Sequence, residues 1–370
     1  MATVSARPRK NQPVTEPIAP AQISFSPLPG SLDRLGLLGA LPAEQFPRDV
    51  PTALEFGVLL GAKGARPGTG RTRLLWETLA SLAAHDLGAA RAIEPHLDAL
   101  AILDQAPPGP LPAIAETVGC TWGVFAAEGS PDPLRAIPGE PGGAWSISGI
   151  KPWCSLADTL DAALVTVTLD DGSRALFAVD LRQAGITTDN SAWKARGLTE
   201  IPSGPVQFTE ALGYPVGAPG WYLTRPGFSW GGIGVAACWF GGAVGLARTL
   251  FASSLRKEPD RIALMHLGAI DEQLQSARRA LSEAAYLVDN GDAEGSEGKL
   301  LAKRVRATVA RACDEVLLRV GHSLGPAPLA QDADHAKRVA DLQLYIRQHH
   351  AERDDASLGD ALVRTGRSPW

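Results

Sequence analysis

The feature that most limits how this chain can fold is a set of three successive helical stripes in its C-terminal third. Leu267, Ile270, Leu274, Ala277, Leu281, Ala284 and Val288 alternate spacings of three and four, which keeps apolar side chains on one face of a long helix. Val305, Val309, Cys313, Val316 and Val320 repeat the pattern, and Val339, Leu342 and Ile346 repeat it again. Asn290-Gly291 predicts the end of the first helix and Gly321 the end of the second, because glycine is favoured just past a helix C-terminus. Such faces must be buried against one another. The region after Gly231 therefore reads as an up-and-down bundle, completed by a short fourth helix from about Gly232 to Leu255.

Upstream the pattern differs. Leu75, Leu79, Leu82, Leu87, Ile93, Leu97, Leu100 and Leu103 recur at helical spacing and predict a helical region in two or more pieces, interrupted near Gly88 and Pro95. The Pro-rich stretch Pro107 to Pro112 ends it. Short runs rich in β-branched and aromatic residues follow at Cys120 to Ala126, Ala144 to Ile150, Ala162 to Thr168, Ala175 to Asp180 and Val206 to Thr209. Asp170-Asp171-Gly172-Ser173 between two of them predicts a hairpin turn. The expected fold class is α+β, mostly α. A flexible Arg- and Pro-rich tail over residues 1–30 precedes an N-terminal helical domain over 31–115, a small antiparallel β-domain over 116–218 and a C-terminal four-helix bundle over 219–370.

At 370 residues, two or three sub-domains or layers are expected. The 35 basic and 40 acidic residues give a net charge of −5, spread along the chain, so neither a nucleic-acid stripe nor a polybasic membrane patch is indicated. Cys120, Cys154, Cys238 and Cys313 are far apart and form no CxxC pair, which argues against a zinc site or a disulfide framework and fits a cytoplasmic protein. No stretch reads as a membrane span: Ala218 to Leu250 is apolar, but Arg225 and many glycines suit a packed bundle helix.

Two clusters carry chemistry. In the stretch Ala144 to Thr168, Trp153 and Ser155 lie two residues apart, so on an extended segment they share a face. An indole beside a hydroxyl suits a planar heteroaromatic ligand; the other reading is a buried tryptophan in a sheet. Arg91, Glu94 and His96 form a polar group on the upstream helices, read here as mutually satisfied or solvated.

Helices, then a small β-domain, then a helical bundle resembles the acyl-CoA dehydrogenase family, as a divergent member, over nearly everything after the tail. The run from Trp122 through Glu128 to Gly129 looks like the family's first flavin-contacting strand, with its threonine place nearest Phe125 or Ala126. The run Trp145 to Ser155, containing Gly149, Lys151 and Trp153, looks like the second. The resemblance implies FAD as cofactor, with Trp153 against the isoalloxazine and Ser155 at its N5 edge. It also places Arg256 near the flavin-phosphate arginine, although the usual Gln-Phe-Gly is absent. Gly321 and Gly325 resemble the turn that contacts the FAD of a neighbouring subunit, which implies a homodimer or homotetramer, or a heteromer with a homologue.

The family's dehydrogenases take the α-proton of an acyl-CoA with a glutamate from one of two places. Here those places read Leu344-Tyr345-Ile346-Arg347 and Ser229-Trp230-Gly231-Gly232, with no carboxylate. Glu352, five residues past Arg347, is the displaced candidate for the catalytic base. His349 and His350 beside it are of the residue type most used as a base at neutral pH, but the cluster suits a polar helix end. The resemblance implies an FAD-dependent acyl-CoA dehydrogenase, with an electron-transfer protein as a further partner. Two alternatives keep the fold: a flavin monooxygenase, for which no base glutamate is needed, and a catalytically silent subunit of a heteromeric dehydrogenase.

Overall fold

The computed structural model describes residues 22–26, 38 and 45–370. The expected flexible tail lies outside the described residues except at 22–26. That segment is packed: Phe25 is fully buried and the Ile23 amide donates to Ser81 Oγ at 2.8 Å.

Three helices come first, α1 (Val50–Ala62), α2 (Thr72–His85) and α3 (Leu87–Gln105). The break between α2 and α3 falls at Asp86, whose carboxylate caps α3 by accepting from the Ala89 amide at 2.9 Å. Pro95, expected to interrupt the helix, lies inside α3. A proline has no N–H to give, so the Arg91 carbonyl one turn back loses its usual partner.

Seven strands follow: β1 (Trp122–Phe125), β2 (Arg135–Ile137), β3 (Trp145–Lys151), β4 (Ala162–Thr168), β5 (Arg174–Asp180), β6 (Ile186–Thr188) and β7 (Val206–Pro215). They form one sheet ordered β1-β4-β5-β7-β3-β2, with β6 also on β7. The expectation of an antiparallel sheet fails at one edge, because β1 runs parallel to β4, Trp122 opposite Ala162. The chain passes through β2 and β3 between them, and so long a connection allows the parallel pairing. The hairpin at Asp170 to Ser173 joins β4 and β5 as expected. β4 is buried along nearly its whole length because both faces are covered. Ala162 and Leu164 pack with Leu176, Ala178 and, on α3, Ala99 and Ile102, while Ala163 and Val165 join the main core with Phe177 and Val179.

The helical part comprises α4 (Trp221–Thr224), α5 (Gly227–Arg256), α6 (Arg261–Asp289), α7 (Gly295–Leu324), α8 (Pro326–Gln331), α9 (Ala333–Tyr345) and α10 (Glu352–Thr365). Asn290 caps α6 as expected. α7 continues through Gly321 to Leu324 and ends at Gly325, where φ is +69°. The expected short fourth helix is the 30-residue α5, and by length and composition it alone among the described residues is apolar enough to cross a membrane. It is the axis of the molecule, packed against α2, α3, α6, α7 and α9. Its glycines serve close approach: a Cβ on Gly241 would lie 2.1 Å from the Ala80 carbonyl of α2, and one on Gly245 would lie 2.7 Å from that of Ala84. The architecture is the expected α+β arrangement of helices, sheet and bundle.

Candidate functional site

The chain leaves β3 at Lys151, a cation buried to 2% exposure. Its Nζ donates to Thr166 Oγ1 at 2.7 Å, the Thr166 carbonyl at 2.8 Å and Glu128 Oε1 at 3.2 Å. Burial pulls its pKa below the ordinary lysine value, with the charge of Glu128 opposing that. The next residues form a turn. Trp153 and Leu156 both take left-handed backbone conformations, φ +59° and +58°, which is unfavourable for bulky side chains and is held here by neighbours. The Cys154 amide donates to the Gly204 carbonyl at 3.0 Å and the Leu156 amide to that of Pro202 at 2.9 Å.

This turn replaces the extended geometry expected for Trp153 and Ser155, so the two do not share a strand face. Trp153 is 61% exposed and meets Trp193 edge-on, with ring centroids 6.3 Å apart. Ser155 is buried, its Oγ 2.7 Å from Ser203 Oγ and accepting from Arg91 Nη2 at 2.9 Å. The reading of Trp153 as a buried core residue is therefore wrong, and the pair stands as an open indole beside a buried hydroxyl.

Arg91 leads inward along one face of α3, where residues 91, 94 and 98 follow each other at helical spacing. Its guanidinium lies 5.5 Å from the Tyr345 ring centroid and its Nη1 is 4.0 Å from Glu94 Oε2. The expected mutually satisfied Arg91, Glu94 and His96 patch does not form. His96 projects elsewhere and accepts from the Trp122 amide at 3.3 Å, tying β1 to α3, while burial lowers its pKa to about 4. Glu94 accepts no hydrogen bond among the described residues, although its side chain is 9% exposed. Burial and the charge of Asp98 raise its pKa to about 7, against the pull of Arg91 and Arg306. Asp98 is also raised by burial; it pairs with Arg225 at 3.8 Å, itself buried and donating to Gln105 Oε1 at 2.8 Å.

Glu94 and Asp98 line a narrow cleft between α2, α3 and the start of α5, about 20 Å³ in volume, with Trp76, Trp230, Leu75 and Leu97 as apolar walls. Gly231, at one of the two places where the family's glutamate was sought, faces Asp98, and a Cβ there would sit 2.8 Å from Asp98 Oδ1. The carboxylates of this cleft thus come from α3. A wider groove between α2 and α6, lined by Arg71, Arg73 and Arg278, shares no residue with it.

The other expected site residues lie apart from this constellation. Phe125 is buried in the core, and Ala126 is partly buried. Arg256 is the exposed last residue of α5. Gly321 lies within α7, and Gly325 forms the junction with the six-residue α8. Glu352 is exposed in the first turn of α10. Arg347 turns outward and pairs with Asp314. His349 and His350 both approach Asp354, as a polar helix end would. Sequence reasoning missed Asp98, Arg225 and Tyr345. For Asp98 the available signal was charge on a helix buried nearly all round.

No protein-family model matches the chain, and no curated protein matches its sequence. Solved structures do match. KijD3, in complex with FMN and a dTDP-linked amino-keto sugar, superposes with a TM-score of 0.72 at 19% identity, over 88% of this chain and 90% of that one. FMN-bound TdsC of Paenibacillus sp. A11-2 gives 0.71 at 16% identity, over 86% and 90%. Butyryl-CoA dehydrogenase of Megasphaera elsdenii gives 0.72 at 15% identity, over 86% and 91%. The chain has the acyl-CoA dehydrogenase fold.

Proposed function

We propose that the protein is a flavin-dependent oxidoreductase acting on a small, largely apolar substrate. The observation that carries this reading is the open indole of Trp153, fixed in a left-handed turn beside the Ser155–Arg91 hydrogen bond, on a fold whose solved examples include FMN complexes. These residues fit a flavin ring: a free aromatic face for stacking, a hydroxyl and a permanently charged guanidinium for its polar edge. A bound flavin would supply two-electron chemistry, either accepting hydride or, once reduced, reacting with oxygen. Arg91 would favour negative charge at that edge.

Within this class, monooxygenation of a small aromatic substrate is the better supported reading. Neither family place holds a carboxylate, and TdsC is a dibenzothiophene monooxygenase. The second reading, α,β-dehydrogenation of an acyl-CoA with FAD, is favoured by one observation: the buried carboxylates on α3 would supply the base that Glu352, exposed on α10, does not.

FMN and FAD are added separately to the purified protein while melting is followed. A flavin at a hundred times its Kd stabilises by about 2.7 kcal/mol. If neither flavin shifts the transition, the oxidoreductase reading fails and a silent-subunit role takes its place. With flavin bound, anaerobic bleaching by acyl-CoAs supports the dehydrogenase, and oxygen incorporation into an aromatic substrate supports the monooxygenase. Sizing the loaded protein tests the homodimer or homotetramer.

A further inference from the structure

We propose that Trp193 is a positioning residue of the flavin site: it braces the Trp153 indole edge-on and holds that ring as a ready platform for a planar heteroaromatic ligand. The proposal deepens the oxidoreductase reading and rests on it for the identity of the ligand; the pairing of the two indoles needs no flavin.

An exposed tryptophan on a loop ordinarily moves among rotamers, and a ligand that stacks on it loses affinity to the ordering of the ring. Trp153 is 61% exposed, and the hydrogen bonds of its turn, from the Cys154 and Leu156 amides, fix the backbone and not the ring. What meets the ring is Trp193, with 6.3 Å between centroids and 88° between planes, the edge-to-face arrangement that aromatic pairs prefer.

Trp193 can act as a brace because it is itself tied down. It follows a single helical turn, Asn190–Ala192, whose Asp189 cap accepts from the Ser191 amide at 2.9 Å. Its own amide donates to the Asn190 carbonyl at 3.0 Å, its Nε1 donates to the Leu198 carbonyl at 3.2 Å, and its ring packs against the main core. Asn190 Nδ2 reaches back to Asp158 Oδ2 at 2.8 Å, just past the Trp153 turn. Leu198 is in turn clamped to α9: its amide donates to Asp341 Oδ1 at 2.6 Å, and a Cβ on the preceding Gly197 would collide with the Ala340 carbonyl. The line from Trp153 through Trp193 and Leu198 to Asp341 joins the open indole to a bundle helix.

Backbone strain marks the same place. Among the described residues five non-glycines have positive φ, and three of them, Trp153, Leu156 and Leu198 at +50°, belong to this one assembly. Such conformations persist only where neighbours impose them, and they cluster at ligand sites. A pair that served only to fill the core would need neither the strained turn nor the open ring.

The test uses the full-length protein, first without flavin. Trp153 with Trp193 is the one tryptophan–tryptophan ring contact among the described residues, so an exciton couplet in circular dichroism reports this pair. Wild type is expected to show the couplet, and Trp153→Phe and Trp193→Phe are each expected to lose it. FMN is then titrated. Trp193→Phe keeps an aromatic edge and should bind FMN within about twofold of wild type, whereas Trp193→Leu should bind it roughly three- to tenfold more weakly, the worth of one aromatic pair. Melting of the flavin-free variants checks that they are folded, and Trp193→Met takes the place of Trp193→Leu should that variant not fold. A couplet that is missing in wild type or survives in Trp193→Phe, undiminished FMN affinity in Trp193→Leu or its replacement, or a Trp193→Phe variant as weak as these would each overturn the proposal. A wild type that binds neither FMN nor FAD would overturn the oxidoreductase reading and this role for Trp193 with it; flavin binding that ignores Trp193 would overturn this role alone.

Discussion

Lys151 and Glu94 are both buried charges, and they differ in how they are partnered. Lys151 reaches three acceptors within 3.2 Å and is pinned between β3, β4 and the end of β1. Glu94 has an arginine at 4.0 Å, an aspartate one helical turn away and no hydrogen bond among the described residues. A saturated buried charge holds a fold together, because removing any member strands the rest. An unsaturated one at the wall of a cleft costs stability and leaves its lone pairs for a ligand. The contrast separates scaffold from site without reference to any relative.

The contrast breaks most visibly at Lys151. Lys151→Ala would leave Thr166 without its cation and Glu128 with Arg174 at 3.8 Å and the Thr166 hydroxyl, and the expected loss is about 3 kcal/mol, read from the urea midpoint. A loss under about 1 kcal/mol would mean the lysine is no anchor. Glu94 should behave oppositely. Its pKa is raised on folding, from 4.5 to about 7, so the folded state binds the proton more tightly and wild-type stability falls as pH rises through that window. Glu94→Gln lacks this loss. Relative to wild type it should gain on the order of 2 kcal/mol between pH 4.5 and about 7, then stay level. Melting curves of the two proteins across that range decide it, and a constant difference would show that the carboxyl does not titrate there.

Much of the fold was legible because its signals are local. The stripes on α6 and α7 are buried where periodicity placed them: Ala277, Leu281, Val305, Val309, Cys313 and Val316 are all core residues. α5 was undersized for a physical reason. Ala236, Ala237, Cys238, Trp239 and Phe240 are buried in succession, so no amphipathic stripe marks the helix, and its glycines weaken propensity while serving contact with α2. Trp153 and Ser155 were chosen for their chemistry, but period two could not foresee a left-handed turn fixed by segment 201–204, some fifty residues on. Glu94 was noticed as charge. Its lack of a hydrogen bond among the described residues is a long-range property, set by Ser155 drawing Arg91 away, and no local pattern contains that.

A second saturated charge refines the scale. Lys337 of α9 contacts Asp341 and Glu200 at 2.7 Å and Asp86 at 3.2 Å, which joins α9, the 197–200 loop and the cap of α3, and these acceptors raise its pKa. Its side chain is 34% exposed, so water screens it more than Lys151. Lys337→Met is expected to cost about 1 to 2 kcal/mol, mostly through Asp341, which is buried and would keep only the Leu198 amide. A cost equal to that at Lys151 would show that burial does not set the scale.

The smallest effect on stability is expected where scaffold and site meet. Ser155→Ala removes the acceptor of Arg91 and the partner of Ser203, but Arg91 keeps the Tyr345 face and Ser203 keeps the Ile201 carbonyl. The expected cost is about 1 kcal/mol or less. Flavin affinity should fall roughly tenfold, the worth of one good hydrogen bond at a ring edge. Melting curves with and without FMN separate the two numbers. A variant losing stability but not affinity would place Ser155 with Lys151 among the anchors; one losing affinity at nearly unchanged stability would place it with Glu94, among the groups the fold leaves free for a ligand.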